Sequence, residues 1–301
     1  MLKLTENEDD RPLVVALGGG HGLASSLKSL VLAKVFPVGI VSVADDGGSS
    51  GRLRADFGFL PPGDLRKCLI ALADSDSLWS SAIDYRFSQG DLAGHSLGNL
   101  IISGLTEVSG DFSRAISEVA HLLGSKGLLF PSSVSPVTLV ATAGGKEVRG
   151  QVQIMHTRGI ERLKVFPEDP EVPEGALDAI ARASAIVVGP GSLFTSVLAV
   201  LCYPKIRDAI SRSSGKRIYV SNLRPQMEET MGMTVADHIA ALVEHGFYPD
   251  VVVSDDSHIA LGDTNELCVS IGCELVNVIL SDGSGNIHNP ELLSIALQTV
   301  I

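Results

Sequence analysis

Several short segments of the 301-residue chain combine residue types and spacings that could do chemistry. Leu17-Gly18-Gly19-Gly20-His21-Gly22-Leu23 lies between an apolar run and an amphipathic one. Glycine lets backbone N–H groups approach a ligand, and the N-terminus of the following helix adds roughly half a positive charge. Both favour a phosphate. The segment is not G-x-G-x-x-G, because Ala24 and Ser25 follow Leu23, and it lacks the Gly-Lys-Ser/Thr ending of a P-loop. Glycines in such a turn also serve for close packing alone. The run Val43-Ala44-Asp45-Asp46-Gly47-Gly48-Ser49-Ser50-Gly51-Arg52-Leu53-Arg54 places two carboxylates at the end of a second apolar run. A Gly/Ser loop over Asp45–Gly51 can wrap a substrate, and Arg52 and Arg54 can neutralise phosphate. The chemistry implied is a Mg2+-diphosphate or ribose-hydroxyl site, with an acid-rich Asx turn as the bland reading.

Asp64, in Pro61-Pro62-Gly63-Asp64-Leu65-Arg66-Lys67, reads as a helix N-cap that can also join Asp45 and Asp46 around a cation. In Gly94-His95-Ser96-Leu97-Gly98-Asn99-Leu100, His95 and Asn99 are four apart and predict one helix face. No metalloprotease acid accompanies His95, so the expectation is a neutral, hydrogen-bonding imidazole, in a ligand site or in the core. Val188-Gly189-Pro190-Gly191-Ser192-Leu193-Phe194-Thr195-Ser196 repeats the first design, with Ser192, Thr195 and Ser196 at a helix start. Two phosphate-type turns in one sheet imply a ligand spanning a crevice, such as a nucleotide diphosphate. Asn222 and Gln226 are expected at another strand end of that crevice.

The elements that must position these residues follow from the periodicity. Strands are predicted over Pro12–Leu17, Val38–Ala44, Ala185–Val188, Arg217–Val220, Val251–Ser254 and Leu275–Leu280. Helices are predicted over Leu23–Lys34, Asp64–Leu72, Leu97–Val108, Phe112–Leu123, Gly175–Arg182, Val235–His245 and Pro290–Val300. Val137–Ala143, a Gly144-Gly145 turn and Val148–Ile154 read as a hairpin, with Leu163–Phe166 as a further strand. The class is α/β: a doubly wound, mostly parallel sheet with helices on both faces and an inserted antiparallel β-hairpin extending it. Residues 1–10 read as a flexible N-terminus and 11–301 as a single domain.

Composition limits what such a protein can bind. Lys+Arg total 23 against 35 Asp+Glu, a net charge of −12, which disfavours nucleic acid and anionic membranes. Cys68, Cys202, Cys268 and Cys273 are scattered without zinc-ligand spacing and read as reduced thiols. The acidic start, Met1–Asp10, is no signal peptide. The uncharged stretch Ala183–Pro204 is interrupted by Gly189-Pro190-Gly191, so strand, turn and helix are expected rather than a membrane span. A soluble, cytoplasmic protein is expected.

The order and spacing of these motifs resemble the gluconeogenesis factor family, a branch of the 2-phospho-L-lactate transferase-like superfamily. The resemblance runs through Gly18-Gly19-Gly20 with Gly22, Ala44–Arg54, Pro61–Asp64, Tyr85-Arg86-Phe87, Gly94–Leu100, Gly189–Ser196, Ser221-Asn222 with Gln226, Glu229-Thr230 and Asp237-His238. His21 stands where that family usually has Thr, and Met227-Glu228 replaces a Pro-Gly pair; after Val251 the match is weak.

The resemblance implies a Rossmann-like fold and a UDP-sugar-binding regulator, of the UDP-N-acetylglucosamine type. Such a regulator is needed for cell shape and cell-wall synthesis under gluconeogenic growth. It would be a homo-oligomer with a cell-wall synthesis protein as partner. The nucleotide site it implies comprises Gly18, Gly19, Gly20, His21, Gly22, Asp45, Asp46, Ser49, Ser50, Arg52, His95, Asn99, Gly189, Gly191, Ser192, Thr195 and Asn222. The alternative is a Mg2+-dependent transferase using a nucleotide-diphosphate-linked donor, with Asp45, Asp46 and Asp64 as metal-holding, catalytic carboxylates. A weaker third reading, nicotinamide dinucleotide binding, rests on Asp45 and Asp46 lying ~20 residues past the first turn.

Overall fold

The computed structural model describes residues 10–301 apart from 75, 76, 227 and 284, and not the side chains of 55–57. The N-terminal segment and the Met227 position of the departure noted above therefore lie outside the described residues. Among the described residues the apolar runs form β1 (Leu13–Gly18), β2 (Phe36–Val41), β3 (Leu128–Pro131), β4 (Thr138–Ala143), β5 (Lys146–Arg149), β6 (Ile160–Phe166), β7 (Ala185–Val188), β8 (Lys216–Val220), β9 (Val251–Ser254) and β10 (Glu274–Asn277). Seven of them make a parallel sheet in the order β10-β9-β8-β7-β1-β2-β3. Every residue of β1, β7 and β9 is buried, as strands covered on both faces require. On the other hand, the edge strand β10 is partly exposed.

Helix Gly20–Leu32 packs between helices Gly63–Leu72 and Pro290–Val300, while Glu174–Arg182 packs with Pro204–Arg212. The chain builds β1, β2 and β3 outward in one direction. It then returns to place β7 on the other side of β1 and continues to β10. The strand order thus reverses between β1 and β7, and the two Gly-rich turns follow those two strands. That is the place where open α/β sheets hold their ligands.

The inserted β-region differs from expectation. It is a separate three-stranded antiparallel sheet, β5-β4-β6, rather than an extension of the main sheet. Its Leu139, Ala141, Leu163 and Val165 bury into the common core. The strand expected over Val148–Ile154 ends at Arg149, and Gln151–Met155 turns into a short helix. The cause is tertiary: Asp46 accepts the Gln151 and Val152 N–H groups at 3.0 and 2.9 Å, in the manner of a cap supplied from a distant segment.

The Gly/Ser loop expected over Asp45–Gly51 is also largely helical, because helix Gly48–Phe57 begins inside it. Asp45 accepts the Gly47 N–H at 3.0 Å and closes the entry turn, while Ser49, Ser50 and Leu53 are buried. Strand β3 and helix Leu78–Asp84 have no counterpart among the predicted elements, while helices Pro204–Arg212 and Thr264–Ile271 fill crossovers between the later strands, where helices are expected. β3 is a short edge strand that ends in proline, a position where the missing N–H is tolerated. Among the described residues no helix is long and apolar enough to cross a membrane. The uncharged stretch is β7, its turn and the helical segments Leu193–Val197 and Leu198–Leu201.

Candidate functional site

A cleft of about 470 Å3 opens at the carboxyl ends of β1, β7 and β8. His21, Gly22 and Ser25 from the first turn line it, with Pro190, Gly191 and Ser192 from the second. Segment Asn222–Gln226, with Glu229, forms a further wall, and residues Gly285–His288 close it. The two turns are locked together. A Cβ on Gly22 would lie 2.1 Å from the Pro190 carbonyl oxygen. The Ser26 hydroxyl donates to the Gly189 carbonyl at 2.7 Å, and the Gly191 N–H to Asn222 Oδ1 at 3.0 Å. Glycine at position 22 is therefore a packing requirement of the site itself.

Gly19 is extended (φ −159°), so its backbone is open to any residue. A Cβ there would meet Asp64 Oδ2 at 2.9 Å and Ser196 at 3.5 Å. Helix Gly20–Leu32 has no side-chain cap and no acidic residue in its own first turn, although the Asp64 carboxylate, paired with Lys67, borders its start at Gly19 and Gly20. His21 stands at this end. Burial lowers its pKa, and the nearby Lys67 charge lowers it further, so the protonated imidazole is disfavoured there.

The second turn has a different chemistry from the one its sequence suggests. The Thr195 hydroxyl donates to Glu229 Oε2 at 2.9 Å, and the backbone N–H groups of Leu193, Phe194 and Thr195 face the carboxyl group and pull its pKa down. A buried carboxyl group thus sits against the second turn and engages Thr195, while Ser192 lines the cleft. Burial pushes the Glu229 carboxyl up to about 7, against the opposing pull of these hydrogen bonds.

The remaining predicted residues gather on the other side of the first turn and do not line the cleft. Ser49 Oγ lies 3.1 Å from His95 Nδ1 and accepts from Asn99 Nδ2 at 3.2 Å. His95 and Asn99 share this contact but not a helix face, since Ser96 is the N-cap and the helix begins at Leu97. Ser50 Oγ accepts the Gly63 N–H at 3.1 Å. Helix Gly63–Leu72 is entered from Pro62, so Asp64 lies in its first turn and is not its N-cap. Arg52 donates to the Ala93 carbonyl at 3.3 Å, and Arg54 to the Val137 carbonyl at 2.6 Å. Arg54 is thereby a tie to β4 rather than a phosphate ligand.

The carboxylates do not fit a three-acid magnesium site. Asp45 and Asp64 are neighbours: burial, then the charge of Asp64, raises the Asp45 pKa. Asp64 Oδ1 already holds Lys67 Nζ at 3.0 Å, and Asp46 is committed to the backbone of 151 and 152. Among the described residues no group of three or more His, Cys, Asp or Glu is arranged to hold a metal ion. Asp46→Asn is accordingly expected to lower stability by about 1 kcal/mol, the scale of a weakened helix cap. Urea unfolding of the variant measures the loss.

Glu229 and His288 are two buried polar cleft residues that motif spacing did not single out as site residues. Glu229 follows a polar loop without strand or helix periodicity, and His288 lies in a Gly/Asn-rich segment far along the chain. Only the tertiary fold brings both to β8, where His288 Nε2 donates to the Ser221 carbonyl at 3.1 Å.

Comparison with known proteins agrees with this architecture. The family model for 2-phospho-L-lactate transferase CofD matches residues 14–267. The gluconeogenesis factor of Halalkalibacterium halodurans is 42% identical over 249 residues, covering 80% of this chain and 76% of its own. That of Bacillus subtilis is 39% identical over 252 residues, covering 82% and 80%. A crystal structure of a UPF0052 family protein from Bacillus halodurans superposes with a TM-score of 0.91 at 34% identity, covering 96% of this chain and 99% of that one. With the matched family spanning both turns and the wall at β8, the chain belongs to the CofD family, among the gluconeogenesis factors.

Proposed function

We propose that this protein is a nucleotide-sugar-binding regulator whose ligand is a UDP-sugar of the UDP-N-acetylglucosamine type. In this reading it couples precursor supply to cell shape and cell-wall synthesis during gluconeogenic growth, acting in the cytoplasm through a cell-wall synthesis partner. The observation that carries the binding part is the asymmetry of the two turns. The Gly20–Leu32 helix presents an uncapped positive end at the cleft, while the buried Glu229 carboxyl group sits against the second turn. The diphosphate therefore belongs on the first turn and the uncharged part of the ligand along Asn222–Glu229. Asp45 and Asp64 do not line the cleft; Asp64 borders the first turn but is neutralised by Lys67, which supports binding without a required cation.

A UDP-sugar at 100 times its Kd is expected to stabilise the fold by ~2.7 kcal/mol. That is a rise of several degrees in Tm at roughly 2–4 °C per kcal/mol, unchanged by EDTA. Thermal unfolding with UDP-N-acetylglucosamine, with and without chelator, is the measurement. No shift with any uridine nucleotide at millimolar concentration would sink the reading. Strict Mg2+ dependence with turnover of a nucleotide-linked donor would replace it by the transferase.

A further inference from the structure

Three buried polar atoms along one wall of the cleft have no hydrogen-bond partner: Asn222 Nδ2, Gln226 Oε1 and Glu229 Oε1. Asn222 and Glu229 are 5% and 3% exposed. Buried polar atoms are nearly always satisfied, so three orphans on one wall point to a missing partner common to them. Both side chains are also held in place by the protein. The Gly191 N–H fixes Asn222 Oδ1, and the Thr195 hydroxyl fixes the Glu229 carboxylate, which the amides of 193–195 face. What remains for a ligand is one donor, from Asn222, and two acceptors, from Gln226 and Glu229.

We infer that Asn222, Gln226 and Glu229 read a vicinal diol of the bound ligand, with Glu229 as the specificity-determining acceptor. Two hydroxyls donate to Gln226 Oε1 and Glu229 Oε1, and a hydroxyl oxygen accepts from Asn222 Nδ2. A phosphate offers no donor and is repelled by the carboxylate, and a deoxygenated ligand leaves the orphans unpaired. The inference rests on the cleft being a nucleotide-sugar site. The diol belongs either to the ribose or to the appended sugar.

Glu229→Gln separates these cases. The backbone amides of 193–195 face this side chain and favour its oxygen, so the variant turns its NH2 toward the ligand and converts the free acceptor into a donor. Calorimetry would use the full chain with UDP-N-acetylglucosamine, UDP, 2′-deoxy-UDP and pyrophosphate, at about pH 6 and about pH 8. Glu229→Gln is expected to weaken UDP-N-acetylglucosamine by about tenfold or more and to leave pyrophosphate unchanged or tighter. If the ribose is read, UDP weakens equally and 2′-deoxy-UDP is poor on the unmodified protein. If the appended sugar is read, UDP is indifferent to the substitution.

Ligand donors favour the ionised carboxylate, so affinity in the unmodified protein should rise with pH across neutrality and lose that rise in Glu229→Gln. The other titratable groups lining the cleft are His21, Arg224 and His288. Gln226→Leu removes the second acceptor and serves if Glu229→Gln does not fold. Affinity for the diol-bearing ligands within twofold in both variants overturns the inference while leaving the binding function intact. Failure of every uridine nucleotide to bind the unmodified protein overturns both.

Discussion

Acidification from pH 6.5 to 4 is expected to remove much of the protein's stability, through two histidines buried in neutral form. His238 is 0% exposed, with Nδ1 3.1 Å from the Tyr219 hydroxyl and Nε2 unpartnered. His288 is 7% exposed and donates to the Ser221 carbonyl. Burial depresses both pKa values to about 4 from 6.5. A depressed histidine binds its proton more weakly in the folded state than in the unfolded one. Its contribution is therefore complete above pH 6.5 and lost as pH falls toward 4, about 3 kcal/mol for each group over that window. Burial shifts His21 and His245 the same way.

Glu229 acts in the opposite direction. Its folded pKa of about 7 exceeds the ordinary 4.5, so its contribution declines as pH rises from 4.5 to 7. Two histidines against one glutamate leave a net uptake of about one proton on unfolding between pH 4.5 and 6.5, a slope of about 1.4 kcal/mol per pH unit. Stability should peak near pH 6.5. Urea unfolding across pH 4–8 measures it. Stability that rises on acidification from pH 6.5 to 5 would show that His238 and His288 ionise freely in the fold and leave Glu229 alone, and His288→Asn should flatten the acid limb.

Gly22→Ala is expected to lower stability by about 2–4 kcal/mol, a fall in Tm of order 10 °C, and to abolish the nucleotide binding proposed above. The added methyl would lie 2.1 Å from the Pro190 oxygen and 2.8 Å from the Gly191 Cα, both backbone atoms. Neither can withdraw without breaking the Ser26–Gly189 or Gly191–Asn222 hydrogen bond. Alanine's helix preference returns only about 1 kcal/mol. Gly104→Ala is the control: it lies in helix Leu97–Ser109 with nothing within 4 Å of the new Cβ, so only the propensity gain remains. If Gly22→Ala melts within about 2 °C of the unmodified protein, the two turns do not touch in solution.

The central strands and the terminal helix were legible because their burial is written in local order. β7 and β9 were read as continuous apolar runs and helix Pro290–Val300 by its 3.6-residue period, each with the observed bounds. The turns after β1 and β7 were legible for the same reason, since glycine between a buried strand and an amphipathic helix restricts what the backbone can do there. The chain alone did not determine what those turns meet. Asp46 looked like a ligand and is a cap for residues 151 and 152, and Arg54 looked like a phosphate contact and ties β4. The second turn looked like a phosphate cradle, yet its amides face the carboxyl group of Glu229, 34 residues beyond Thr195 in the chain. Periodicity reports which face of an element is buried, and a hydrogen-bonding side chain has no period. Whether its partner is water, ligand or distant backbone is decided only when the sheet order brings β1, β7 and β8 side by side.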